Sequence, residues 1–486
     1  MPAKGLTGSG YDGHAFWDTE MFVLPVLTYT APGAVAEALR WRQDTLPAAR
    51  DRAAQLGLGG AAFPWRTIDG SEGSAYWLAG TAAFHVAADI AHAVVRYTAV
   101  TGDTGFERET AVEILVETAR LWRSLGHHDP HGVFHIDGVT GPDEYSAVVD
   151  DNTYTNLMAR SNLLAAADVC ARHPGEAARL GVGEEEAAAW RDAAESVHIP
   201  YNEEIGVHEQ HTGFTRHQRW DFEGTRAGQY PLLLHFPYFD IYRKQVVKQA
   251  DLVLAMYTCG TWFDAHCDED QLAASFAYYE PLTVRDSSLS ACCQAVVAVR
   301  TGHLRLAYEY ATEAALMDLA DLEHNTRDGL HIASLAGTWV ALVAGFGGTR
   351  RHGDGLRFAP RLPERLSRLV FRLQFRGRGL RVEIVSDAAT YSLLSGDPLT
   401  VHHYGTEAHV NGDEPSPSPS PHRNGGPPPN SRRTAVPVPA AAGSRTRAEA
   451  PVSADCRAPP SLPRAGPGGA GRVRRAGCRS PCRGRP

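Results

Sequence analysis

A run of about 18 or more apolar residues, the minimum for a membrane-spanning helix, occurs nowhere in this 486-residue chain. Absent too is the charged start followed by an apolar stretch that marks a secreted chain. No Cys-x-x-Cys pair occurs among the eight cysteines, at 170, 259, 267, 292, 293, 456, 478 and 482, and only Cys292 and Cys293 are adjacent. Thiols scattered in this way are read as free rather than bridged or metal-binding, and no metal site or organic cofactor is predicted. That usage fits a reducing cytoplasm. No basic stripe crosses the first four hundred residues. The formal net charge is −9, and the residues beyond Gly412 hold 13 Arg, no Lys and 4 acids, which leaves about −18 on the rest. An acidic body argues against nucleic acid and against an anionic membrane as partners.

What is present is apolar content of 43%, enough for a large core. Most of residues 33–345 reads as paired amphipathic helices, about ten in all. A single helix is predicted over AVAEALRWRQDTLPAARDRAAQLG (34–57), closed by its glycine. Residues 82–126 and 290–319 share one plan, an apolar-periodic helix, a Thr-Gly-Asp or Thr-Gly-His turn, and a second helix. Further helices are predicted over 156–173, 183–197, 245–257 and 331–345. Hairpin after hairpin of helices, with polar loops between, points to an α/α toroid. After Gly348 the period changes to two. Leu369, Phe371, Leu373 and Phe375 alternate with Arg368, Arg372 and Gln374, and Leu380, Val382 and Ile384 follow the turn 376–379. That is a β-hairpin with one apolar face. From about Asp413 the chain is Pro, Ser, Ala, Gly and Arg, a composition unable to bury a core. It reads as a disordered tail or as the out-of-frame product of a G+C-rich gene.

Gly141-Pro142-Asp143-Glu144 lies in a turn-rich loop between two helical segments. Its Gly-Pro turn cannot continue a helix and presents the following carboxylates from a loop. Acids, Asn152 and aromatics around it suit a sugar, which needs hydroxyl partners and a proton donor. Other motifs accompany it: GYDGHAFWDTE (Gly10–Glu20), FPW (Phe63–Trp65), KQAD (Lys248–Asp251), YYEP (Tyr278–Pro281), DSSLS (Asp286–Ser290) and DGLHIAS (Asp328–Ser334). In this order and spacing they closely resemble glycoside hydrolase family 65, over about Gly5 to Gly405.

The resemblance implies a mainly α fold, an (α/α)6-type barrel over residues 1–350, lacking the first one or two of its twelve helices, then a small C-terminal β domain over 351–412 and the tail 413–486. A family N-terminal β-sandwich is expected upstream, and with it a homodimer contact. It also implies inverting phosphorolysis of an α-glucosidic disaccharide of the maltose, trehalose or kojibiose class, with inorganic phosphate as co-substrate. By that resemblance Glu144 is the general acid, its pKa raised by an apolar wall and by carboxylates such as Asp143. Trp17, Asp18, Lys248 and Gln249 would hold the transferred glucose, Trp65 and Glu72 would face the acceptor, and Ser287, Ser288 and His331 would hold phosphate. Arg285 stands where many family phosphorylases have histidine; it would strengthen an anion site, change the acceptor or mark a member with a different activity. Two alternatives stay open. A trehalase-like inverting hydrolase would need Glu280 or Asp286 as base. A disrupted gene would yield an inactive fragment.

Overall fold

The computed structural model describes residues 1–75, 77–352, 355–412 and 416–420. Helical hairpins build most of it. Helix His85–Thr101 ends at Gly102, whose φ of 71° is the left-handed cap that glycine adopts without strain. The Asp103 carboxylate then accepts the Phe106 N–H at 2.9 Å, and the chain returns through Val112–Leu125. A left-handed glycine recurs at Gly302, φ 87°, one residue past the Thr301 cap, between Ser290–Arg300 and Leu304–Leu316, without a side-chain cap on the second helix.

Six helices line the inside: Leu24–Thr30, His85–Thr101, Thr153–Arg172, Asp251–Thr258, Ser290–Arg300 and Ile332–Val340. Each packs on the next, and the last packs back on the first and on the turn Thr19–Val23, so the ring closes. In Ser290–Arg300 every residue but the last is buried, as a helix enclosed on all sides requires, and Cys292 and Cys293 are free thiols within it. Five helices alternate with these on the outside: Pro32–Asp44, Val112–Leu125, Glu184–Ser196, Glu269–Tyr279 and Leu304–Leu316. The described residues thus hold a complete inner ring and five outer partners.

Two helices differ from the sequence reading. The stretch 34–57 breaks at Thr45 into Pro32–Asp44 and Leu46–Gln55, because Pro47 has no N–H to continue the ladder. The stretch 245–257 becomes helical only at Asp251. Before it Lys244–Gln245 pairs with Gln218–Arg219, and the Lys248 N–H goes to the Asp143 carboxylate at 2.8 Å rather than to a helical carbonyl.

The barrel is followed by two four-stranded sheets. Strand Arg368–Phe375 turns into Arg378–Val385 with Phe375 opposite Arg378, and Arg376 and Gly377 take φ of 49° and 76°. Two positive φ values in a two-residue loop suit the twist of the strands it joins. Leu369, Phe371, Leu373 and Phe375 face the core, as the alternation predicts. Ser416–Pro419 adds an edge strand against Ala388–Ser395, so the sheet runs past the boundary expected after residue 412. The remainder of the tail, 421–486, lies outside the described residues. No helix among the described residues is long and apolar enough to cross a membrane.

Candidate functional site

The loop carrying Glu144 is fixed from below. The Asp143 N–H donates to Asp251 Oδ1 at 2.7 Å. The Asp143 carboxylate accepts from the Lys248 N–H at 2.8 Å, from Gln210 Nε2 at 2.8 Å and from the Ser146 hydroxyl at 3.1 Å. Asn152 Nδ2 donates to Asp251 Oδ2 at 2.8 Å. Both carboxylates are fully buried, and loss of water pushes Asp143 up to about 6 and Asp251 well above its usual range. Gly141 sits over this network; a Cβ there would lie 2.1 Å from Asp251 Oδ2.

Glu144, the next residue, points the other way, into an open cavity of about 170 Å³. Its carboxylate accepts from Lys248 Nζ at 2.5 Å. Burial works against the lysine's charge, but Glu144 overcomes it and holds the ammonium above its ordinary pKa. The expected pairing of Asp143 with Glu144 is therefore corrected. Asp143 is turned into the network beneath, and the group in contact with Glu144 is a lysine.

The other candidates come to the same cavity from separate stretches of chain. Trp17, Asp18, Lys248, Gln249, Ser287, Ser288 and His331 all line it, with Trp65. Trp17 is both wall and core, 5% exposed, its indole edge-on to His85 and Phe22. Burial pushes Asp18 up to about 6. The Gln249 amide is already engaged, its Nε2 donating to Pro142 O and its Oε1 accepting the Ser287 hydroxyl, each at 2.7 Å. It ties the Glu144 loop to the serine loop. Glu72 is not on the wall; its carboxylate accepts the Trp65 and Arg66 N–H groups at 2.8 and 3.2 Å and holds the FPW turn. Arg285 is not on the wall either. Its side chain is buried over the Tyr310 ring and 3.4 Å from Glu313, so it adds nothing to an anion site there. Of the two candidate bases, Asp286 lines the cavity, whereas Glu280 is buried away from it and accepts the Tyr310 hydroxyl.

Lys4, Tyr11, Glu323 and Asn325 also line the cavity and were not singled out from sequence. One signal was available for Lys4. The chain has only three lysines, Lys4, Lys244 and Lys248, among its 47 basic residues, and two of the three stand on this wall.

The model of the glycosyl hydrolase family 65 central catalytic domain matches residues 1–340, and that of the family's C-terminal domain matches 349–410. An uncharacterized glycosyl hydrolase of Mycobacterium tuberculosis is 60% identical over 86% of this chain and 52% of its own length. The α,α-trehalose phosphorylase of Geobacillus stearothermophilus is 43% identical over 85% of this chain and 55% of its own. A solved structure carrying a kojibiose phosphorylase assignment, from human microbiome, superposes with a TM-score of 0.81 at 29% identity, over 87% of this chain and 62% of that one. The chain spans about half the length of the curated relatives it matches. A closed ring of helical hairpins, a β-domain behind it and two consecutive family models leave one assignment: the chain belongs to glycosyl hydrolase family 65.

Proposed function

We propose that this cavity carries out inverting phosphorolysis of an α-glucosidic disaccharide of the trehalose, kojibiose or maltose class. A phosphate oxygen attacks the anomeric carbon, the bond from that carbon to the leaving oxygen breaks, and Glu144 hands its proton to the leaving oxygen. The products are β-glucose 1-phosphate and a free sugar. One observation carries the reading: a carboxyl group, Glu144, and a cluster made of Ser287, Ser288 and Lys4, the lysine backed by His331, face one cavity from separate segments. A phosphorylase needs one acid and one anion cradle, and no second carboxylate to activate water. Asp18 and the Trp17 face suit the hydroxyls and the C–H face of the transferred ring. The acid role asks the Lys248 ammonium to release Glu144 and turn to the sugar. Phosphorylases among the relatives support the class. The five described cysteines are free thiols, which supports a cytoplasmic setting.

Hydrolysis is the second reading, favoured by Asp286 on the wall. Its Oδ2 accepts the Tyr145 hydroxyl at 2.6 Å and the Leu232 N–H at 2.8 Å. The deciding experiment measures sugar release from each disaccharide with phosphate absent and saturating. Phosphorolysis consumes phosphate in step with release, and Glu144→Gln lowers the rate by about 10²–10⁴ while sugar binding persists. Equal release of two free sugars in both conditions overturns the phosphorylase reading, and near-parental turnover by Glu144→Gln removes the acid.

A further inference from the structure

Among the groups around the serines, His331 is not free to donate to an anion. Its Nδ1 lies 2.6 Å from Asp318 Oδ1, and its Nε2 lies 2.8 Å from Lys4 Nζ. A carboxylate only accepts and an ammonium only donates. The imidazole is therefore neutral, with its proton on Nδ1 and its Nε2 lone pair turned to Lys4. Burial supports that state, lowering the imidazole's pKa further than Asp318 restores it, and the Lys4 charge lowers it again.

Lys4 is the complementary half of the pair. Its Nζ donates a second bond to Asn325 Oδ1 at 3.0 Å. Both partners are neutral, whereas the cavity's other lysine, Lys248, is engaged by Glu144. An ammonium has three protons, so one remains for the cavity that Lys4 lines. The residue is only 5% exposed, and a buried charge with no carboxylate bonded to it is unfavourable; burial lowers its pKa despite nearby Asp318, Asp328, Glu323 and Asp321. An anion entering from the cavity relieves that cost. Asp286 and Glu323 share the wall, so an anion needs a cation there in order to stay.

The backbone holds Lys4 in this position. The Gly5 N–H donates to Leu330 O at 2.8 Å, and Lys4 and His331 bridge as antiparallel neighbours. A Cβ at Gly8 or Gly10 would lie 2.3 or 2.5 Å from the Asp328 backbone, so glycine is what allows the two segments to touch. Lysine rather than arginine also has a reason, in a chain where 44 of 47 basic residues are arginine. A compact ammonium fits between an imidazole lone pair and an amide oxygen and still aims a third proton; a planar guanidinium fork does not.

We infer that Lys4 is the anion-binding cation of this cavity, taking an oxygen of inorganic phosphate alongside Ser287 and Ser288, and that Asp318 and His331 are the positioning pair that aims it. This rests on the phosphorolysis reading above. His331 then acts through Lys4 and does not touch phosphate.

Inorganic phosphate is titrated calorimetrically into the full chain, alone and with glucose present, for the parent and for Lys4→Met, Lys4→Arg and His331→Gln. Lys4→Met and Lys4→Arg are expected to weaken phosphate binding at least about tenfold, the loss of one charge-assisted bond, with the KM for disaccharide within about twofold. His331→Gln keeps an acceptor for Lys4 and is expected to weaken phosphate binding less than Lys4→Met does; a loss larger than that of Lys4→Met would make the imidazole the donor. A second measurement needs no variant. Amine acetylation mapped by peptide mass spectrometry reports on all three lysines, and saturating phosphate is expected to shield Lys4 and leave Lys244 unchanged. Parental phosphate binding by Lys4→Met, or Lys4 labelling indifferent to phosphate, overturns the assignment and leaves phosphorolysis standing. A parent that binds no phosphate and releases two free sugars overturns the phosphorolysis reading and the lysine's role with it.

Discussion

Asp18 on the cavity wall is charged at neutral pH against the pull of its own burial. Its carboxylate is held with little water, and burial raises its pKa to about 6. A carboxylate with a folded pKa above its unfolded value of about 3.9 destabilises the folded state at neutral pH. That penalty is complete above pH 6 and disappears as pH falls below about 4, where both states are protonated. Asp18→Asn should therefore be more stable than the parent at pH 7, by about 1–3 kcal/mol, and the difference should vanish by pH 4. The same change replaces a charged hydroxyl acceptor, so sugar turnover should fall while stability rises. Thermal melts at pH 7 and pH 4 beside activity at pH 7 check both halves; a variant that melts below its parent at pH 7 would show that the charge is compensated. Gln249 makes a different point. One proton of its amide is used on Pro142 O and one lone pair on the Ser287 hydroxyl, so it holds two loops together and keeps a second proton and a second lone pair.

At the scale of elements, the repetitive parts were legible and the irregular parts were not. Helix hairpins closed by Gly102 and Gly302 announce themselves through periodicity and a turn residue, and the 368–385 hairpin through strict alternation. The segment 245–250 did not, because its extended backbone is set by a distant carboxylate, Asp143, and no local pattern records that. For the same reason Glu144, Trp17, Asp18, Lys248, Ser287, Ser288 and His331 stand out within motifs, whereas no local pattern marks Asn325 or the Lys4–His331 contact. Those depend on which loops meet. The loop 141–144 is where element and site coincide. Gly141→Ala would drive a methyl group into Asp251 Oδ2 and Asn152 Nδ2, 2.1 and 2.6 Å from its Cβ, within a network too dense to relax. The expected result is a loss of about 1–3 kcal/mol with activity largely gone, since Asp143 and Glu144 shift together. Gly132→Ala, in open space at φ 82°, carries only backbone strain and serves as the comparison; denaturant melts of both separate packing from conformation. If the two cost the same, crowding against Asp251 is not what requires glycine at 141.

At the scale of the whole molecule, the cavity is built at a seam. Residues 3–18 come from before the first inner helix and 323–333 from before or within the last, and those two helices are neighbours because the ring closes. The side of the cavity that carries Lys4 and His331 thus depends on the closure of the barrel and not only on the loops that carry its motifs. Gly329 is where the seam combines close approach with a positive φ. Its φ is 118°, and a Cβ there would lie 2.4 Å from Gly5 O. Gly329→Ala combines strained backbone with displacement of the segment that carries Lys4. It should lower the melting temperature by several degrees and raise the KM for phosphate, while Trp17, Asp18 and Lys248 keep the KM for disaccharide near its parental value. Gly33→Ala is the control, a helical glycine with nothing within 4 Å, where alanine should be neutral or stabilising. A Gly329→Ala protein that melts with the control and keeps its phosphate KM would mean that the two ends of the barrel touch without either supporting the other. Parallel rises in both Michaelis constants would instead mean that the seam holds the entire cavity, the sugar side included.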